Sequence, residues 1–257
     1  MPHSLKLDAG ILAQHQAAFP LPPACKGIFT REMRVQDVWR YTLKVGQDSA
    51  VTAMIPHKAG SVGGSEFADR PAADVLSEQP RTPVLLLLLE SPHVHEYRWV
   101  AGKLRPVAPA QGTSPGDAGG AILRYLPLVV GKLKLPAGSY RVVIANPVQY
   151  QCSLGHWYGK LYPPIRDHVW EQIWSLEFIQ REFAERLATC QPAAVLNCCT
   201  DALKDGVSEL VLAHSHVLYE APHPAVQWNV FQENIPVQRR AKSLSRQVVG
   251  APNKSQV

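Results

Sequence analysis

Pro83-Val84-Leu85-Leu86-Leu87-Leu88-Leu89-Glu90-Ser91-Pro92-His93 is the stretch that decides how this chain folds. Val84 to Leu89 has no polar side, so whatever it forms must be covered on both faces, as a strand between two helical layers is. Composition alone also permits a helix. Pro83 and Pro92 limit the run to strand length and favour the strand.

Three further short segments have the same character: Tyr140 to Ala145, Ala193 to Leu196 and His216 to Tyr219. Helical material separates them. Ser114-Pro115 reads as an N-cap and first-turn proline opening a helix through Ala121, Ile122 and Leu126. Ile165, Val169, Ile173, Leu176, Ile179, Phe183 and Leu187 form one stripe of a helix running from about Ile165 to Ala188. Thr200-Asp201 caps a short helix through Leu203. Alternating strands and helices imply a three-layer α/β/α fold around a central four-stranded, mainly parallel sheet.

Upstream, Val35, Trp39, Tyr41, Leu43 and Val45 are set against Arg40, Thr42 and Lys44 with a strand's alternation. Gly46-Gln47-Asp48 turns the chain, and Ala50 to Ile55 returns as a hairpin arm. His57 to Pro83 reads as a long loop with one short helix near Ala72 to Leu76. The expected organisation is an N-terminal extension (1–82), an α/β domain (83–234) and a basic, disordered tail (235–257).

The composition is that of an ordinary globular protein: 257 residues, 46% hydrophobic and 18% charged, with a net charge of +5. Five of the 26 cations (Arg239, Arg240, Lys242, Arg246 and Lys254) lie after Asn234, where no acid occurs, leaving 21 cations against 21 anions before it. The charge total is therefore not a sign of a basic groove in the body. Any such groove must come from uneven placement, for example of Arg98, Lys103, Arg105 and Arg124. Five cysteines without CxxC spacing do not suggest a disulfide scaffold. No run is long enough to span a membrane, and Met1 to Gly10 lacks the pattern of a secretory signal, so a cytoplasmic location and no membrane partner are expected.

In parallel sheets ligands bind beyond the carboxyl ends of the strands. The four strand ends here are Glu90-Ser91-Pro92-His93, Asn146-Pro147-Val148-Gln149, Asn197-Cys198-Cys199-Thr200 and Glu220-Ala221-Pro222-His223-Pro224. They bring carboxylates, amides and histidines to one rim, without a phosphate-cradling glycine pattern.

Over roughly Pro83 to Trp228 the order of these segments resembles the uracil-DNA glycosylase superfamily. LLESPH at Leu88 to His93 is similar to the family's first motif, G-E-x-P-G or G-Q-D-P-Y-H. SPGDAGGAIL at Ser114 to Leu123 is similar to its glycine-rich helix start, VVIANPVQYQC at Val142 to Cys152 to its strand ending in Asn, and PHPA at Pro222 to Ala225 to its H-P-S or H-P-A motif.

The resemblance implies a DNA glycosylase-like protein that holds a flipped-out nucleobase and hydrolyses its N-glycosidic bond. Glu90 and His223 would be catalytic, and Ser91, Pro92, His93 and Asn146 would hold the base. Gly116, Gly119, Pro224 and Ala225 would follow the nucleic-acid backbone. The implied partner is single- or double-stranded DNA, or a free nucleobase or nucleotide. Ser91 stands where one branch has its water-activating Asp, which leaves Glu90 as the first candidate carboxylate and Glu96 as the second. It also keeps open an inactive nucleic-acid or nucleotide-binding protein on the same fold. The cysteines lack the iron–sulfur branch's spacing, so no cofactor is expected. A metal site built from His93, His95 and His223 is the weaker alternative.

Overall fold

A computed structural model of the chain describes residues 31–56, 70–71, 82–153, 163–214 and 216–241. The decisive run forms a fully buried strand, and its alternate residues enter two different cores. Val84, Leu86 and Leu88 pack on one side with Trp170, Ile173, Phe183 and Val207. Leu85, Leu87 and Leu89 pack on the other with Ile122, Leu126, Val129 and Trp228. Helices therefore cover both faces of a mixed α/β sheet, which explains the absence of a polar position.

The strands are β1 (Val38–Val45), β2 (Val51–Pro56), β3 (Arg70–Pro71), β4 (Val84–Leu88), β5 (Tyr97–Val100), β6 (Lys103–Pro106), β7 (Gly138–Ala145), β8 (Ala194–Asn197), β9 (Leu218–Glu220) and β10 (Gln238–Arg240). The main sheet runs β10-β9-β8-β4-β7-β1-β2, with β3 also pairing β1. Its parallel centre is β9-β8-β4-β7. The register places Ala145, Leu88, Asn197 and Glu220 in one row across these strands. The residues beyond them consequently leave the sheet at the same edge.

The expected four-stranded sheet is the centre of a wider one. The β1–β2 hairpin forms as its alternation predicts, but it is built into the sheet, because β1 runs antiparallel to β7 from Val38↔Ile144 to Val45↔Gly138. At the other edge β10 pairs antiparallel with β9. The segment from Ile235, expected as an unpacked tail, therefore begins by packing. Ile235 is buried, Lys132 donates to the Glu233 and Ile235 carbonyls, and Arg240 pairs with Asp205 and Glu220. A composition rich in cations did not reveal that these carboxylates wait on the neighbouring elements. Residues 242–257 and the helix expected near Ala72 to Leu76 lie outside the described residues.

The four principal helices are α1 (Ala118–Leu133), α2 (Pro163–Trp174), α3 (Glu177–Cys190) and α4 (Asp201–Ala213). The single helix expected over 165–188 is two. Leu176 has extended backbone and caps α3, yet Val169, Ile173, Ile179, Phe183 and Leu187 remain on the buried side, so the stripe ran through the break unseen. α1 starts later than Ser114-Pro115 suggested. The Asp117 carboxylate accepts the Ser114 N–H, and the Asp117 N–H returns to the Ser114 carbonyl, closing a turn before the helix. α4 is longer than expected and keeps Thr200 at its cap position, without a side-chain capping bond.

β5 and β6 form a separate two-stranded hairpin that the sequence did not announce. Its turn has positive φ at both Ala101 (48°) and Gly102 (72°), the geometry of a type I′ turn. Alanine is a poor signal for that turn, because its Cβ disfavours the left-handed region.

Candidate functional site at the strand ends

A cavity of about 570 Å³ opens beyond the carboxyl ends of the parallel strands. Of the residues expected at the site, Glu90, Ser91, Pro92, His93, Gly116, His223 and Ala225 line it. The shared register brings the first and fourth strand ends together, and the loop before α1 closes over them.

Glu90 is buried at the end of β4. Its Oε1 lies 2.9 Å from the Arg166 guanidinium, and its Oε2 accepts the Thr200 N–H at 3.1 Å. Its carbonyl accepts the Trp170 indole N–H at 2.9 Å. This residue joins β4 to the starts of α2 and α4, and both carboxylate oxygens are already engaged.

Glu96 occupies the opposite situation. A 3₁₀ turn at Val94–Glu96 folds the loop after β4 back into the cavity wall, where Glu96 is only 3% exposed. Oε1 accepts the Ala110 N–H at 2.7 Å and Oε2 lies 3.4 Å from Asn146 Nδ2. Burial pushes this carboxyl up from 4.5 to about 8, against the lowering effect of the Ala110 N–H, the Arg40 guanidinium and Asn146. Arg40 is itself buried, held by the Pro109 and Ala110 carbonyls. The two glutamates six residues apart thus differ in their partners: a guanidinium and a backbone N–H hold Glu90, whereas Glu96 is buried against a backbone N–H and an amide.

Asn146 is buried behind Glu96 and does not line the cavity. Its Oδ1 has no partner, whereas its carbonyl is held by Arg186, which Asp37 anchors. Asn146, which the resemblance implied would hold a base, therefore reaches the cavity wall through its contact with Glu96. The other strand-end amide, Asn197, is structural. It donates to the Lys204 carbonyl and Ser208 Oγ and accepts the Cys199 N–H.

His223 precedes a wide π-type turn, Pro224–Trp228, and its N–H donates to Gln227 Oε1 at 2.8 Å. Burial lowers its pKa, opposed by Glu90 and by a hydrogen bond with the Ala225 backbone and assisted by Arg166. A neutral imidazole still carries one N–H donor. Pro224 is buried off the cavity, while Ala225 lies on it.

The glycines divide. Gly116 lines the cavity, and a Cβ there would meet nothing within 4 Å. Gly119 donates its N–H to the Gln111 carbonyl, and a Cβ on it would collide with the Ala110 carbonyl oxygen. Gly119 therefore allows close packing of loop on helix and lies off the cavity, and Gly120 packs in the same way against Ser114.

Sequence reasoning missed several lining residues: Gln111, Asp117, Ser153, Arg166 and Gln227. Arg166 follows a helix start with no motif around it, and only the fold brings it to Glu90. Ser153 is 4% exposed with an unpartnered Oγ on the cavity. Among the described residues no group of three His, Cys, Asp or Glu side chains is placed to hold a metal. His93 and His95 instead meet edge to face at 4.7 Å.

The lining includes four carboxyl groups (Glu90, Glu96, Asp117 and Asp201) against one guanidinium, Arg166. The one guanidinium is already paired with Glu90, so the lining offers no open guanidinium or ammonium to a phosphate and suits an uncharged group. Comparison with protein-family models, curated proteins and solved structures finds no match to this chain.

Proposed function

We propose that the chain binds a nucleobase in this cavity and hydrolyses its N-glycosidic bond. The observation that carries the reading is the placement of a buried carboxyl held by backbone and amide donors, Glu96, beside one engaged by a guanidinium, Glu90, on a cavity large enough for a base and its sugar.

In this reading the C–N bond breaks with its electron pair moving onto the base. The His223 N–H donates a hydrogen bond to the base as negative charge builds up, and the Glu96 carboxyl delivers a proton to it. Glu90, fixed by Arg166 and the Thr200 N–H, faces the positive charge that forms on the sugar. Water adds to the sugar carbon and its released proton returns through solvent to Glu96. Asn146 positions Glu96 and is not a catalytic residue.

A second reading is favoured by Ser91 and by the full engagement of Glu90, which leave no free carboxylate at the first motif to activate water. On that reading the protein binds nucleic acid or a nucleotide without cleaving it. Oligonucleotides containing uracil or hypoxanthine separate the two. Strand breakage after alkali supports hydrolysis, whereas retardation on a gel without breakage favours binding alone.

A further inference from the structure

A second cavity, of about 420 Å³, lies between α3 and the segment that leads into β1, and it shares no lining residue with the first. Its floor is apolar and belongs to the core on the α2 and α3 side of the sheet: Leu86 of β4, Val143 and Ala145 of β7, and Phe183 and Leu187 of α3. Its rim is charged. Arg31, Arg34 and Arg186 stand there with Asp37, Glu182 and Glu185.

Four of these six charges neutralise one another. Arg34 donates to Glu182 at 2.6 Å and Arg186 to Asp37 at 2.7 Å. Gln149, only 3% exposed, ties the two pairs together by accepting the Arg34 Nε–H at 3.1 Å and donating to Asp37 at 2.9 Å. Arg186 also donates to the Asn146 and Pro147 carbonyls, which anchors this wall to the end of β7. None of these four charges is left over for a ligand.

Arg31 and Glu185 are left over. Arg31 precedes Arg34 by one 3₁₀ turn, closed by the Arg34 N–H on the Arg31 carbonyl, so the two side chains leave the backbone on the same side. Glu185 follows Glu182 by three positions on α3 and shares its face. The rim thus repeats a guanidinium and a carboxylate. The first pair is closed, whereas Arg31 and Glu185 form no ion pair or side-chain hydrogen bond among the described residues.

The open charges select the occupant. An uncharged molecule seated on the floor would strip water from Arg31 and Glu185 and give neither a partner. An anion would satisfy Arg31 but face Glu185 on the same rim, and a cation would do the reverse. A molecule carrying both a carboxylate and an ammonium answers both, provided that the rest of it is apolar. The volume is at the lower end for ligand sites, about 300–1,000 Å³, which suits a small metabolite rather than a polymer.

We propose that this second cavity binds a free α-amino acid with an apolar side chain, its carboxylate on Arg31, its ammonium on Glu185 and its side chain on the floor. The assignment does not depend on what occupies the first cavity.

Isothermal titration calorimetry on the full chain tests it, with L-leucine, L-phenylalanine, glycine, N-acetyl-L-leucine and L-leucinamide as probes. Glycine lacks the apolar side chain, N-acetyl-L-leucine the ammonium and L-leucinamide the carboxylate. L-Leucine or L-phenylalanine is expected to bind with a Kd below about 1 mM, and each of the three reduced probes about tenfold more weakly or worse. Arg31→Ala should erase the advantage of L-leucine over L-leucinamide, and Glu185→Ala its advantage over N-acetyl-L-leucine. A general loosening of the fold would not produce that matched loss. Both side chains are exposed, and thermal melts verify that the variants are folded. The probe series on the parent chain tests the site without any variant.

Absence of binding by both L-leucine and L-phenylalanine overturns the proposal. Binding of N-acetyl-L-leucine or L-leucinamide as tightly as L-leucine also overturns it, since the site would then take a simple acid or amine. Glycine binding as well as L-leucine would remove the role of the floor, and a preference for L-leucine that survives both variants would place the ligand elsewhere; either result sinks the assignment. None of these outcomes bears on the first cavity, whose reading is judged by base release alone.

Discussion

Asn146 and Glu96, fifty residues apart in sequence, meet at 3.4 Å between Nδ2 and Oε2, so the strand-end amide supports a carboxyl on the loop that follows a different strand. Raising a buried carboxyl to about 8 makes folding depend on pH in a definite direction. The folded state holds the proton more tightly than the unfolded chain does. Stability is therefore fully present below about 4.5, declines as pH rises towards 8 and levels off above it, by up to roughly 1.4 kcal/mol per pH unit. Glu96→Gln should flatten that slope, being most stabilising relative to the parent near pH 8.5. Urea midpoints across the pH range measure this, and parallel curves for the two proteins would refute a protonated Glu96.

His223→Ala is expected to abolish base release while shifting stability by less than about 1 kcal/mol, because the Gln227 contact is to the His223 backbone N–H and survives the change. Base release by the parent should decline as the pH rises through about 8, where Glu96 loses the proton it delivers. A large loss of stability would mark the ring as structural.

Breaking the Glu90–Arg166 pair should cost more from one side than from the other. Arg166→Met leaves the buried Glu90 with the Thr200 N–H, whereas Glu90→Gln leaves Arg166 its contact with Asp167. Losses near 3 kcal/mol for Arg166→Met and about half that for Glu90→Gln are expected, with the double variant recovering part of the difference. Urea unfolding of the three variants reads the coupling; purely additive losses would show that the pair does not interact.

Gly120→Ala and Gly131→Ala should differ in sign although both lie in α1. A Cβ on Gly120 runs into the Ser114 and Thr113 carbonyl oxygens, while at Gly131 the nearest atom, the Ser49 carbonyl oxygen, is 3.9 Å away. The first should destabilise by about 3 kcal/mol. The second should be stabilising by up to about 1 kcal/mol through helix propensity. Thermal melts of the two variants suffice.

Ile235→Ala should cost about 3 kcal/mol, since that side chain lies in the core beside Trp228. Arg240→Ala should cost under about 1 kcal/mol, its guanidinium being over a third exposed. An unpacked tail would show neither effect.

The sheet was legible wherever a residue pattern depends on burial alone. Val84 to Leu89 had to be covered on both sides, and β1 alternated as a half-buried strand does, except that Arg40, on its polar side, is buried at the site. What escaped was set by partners distant in sequence. The break at Leu176 preserves the apolar stripe, so periodicity passed over it. The type I′ turn of β5–β6 uses Ala101 where Asn or Gly would have signalled it. At the site, Glu90 and His223 were found because they follow strands, but the burial of Glu96 depends on Ala110 and Asn146 closing around it. Arg166 was invisible for the same reason: its partner, Glu90, lies 76 positions away.

Cys152, Cys190, Cys198 and Cys199 are all free and buried, and burial raises their pKa values, that of Cys190 to about 12. In the native protein they are neither thiolates nor reachable, so alkylating reagents meet them only when the molecule opens. They lie beside three different parts of the core: the loop after β7, the end of α3 and the end of β8. The four thiols thus act as built-in clocks whose labelling rates, read peptide by peptide, time the opening of each part.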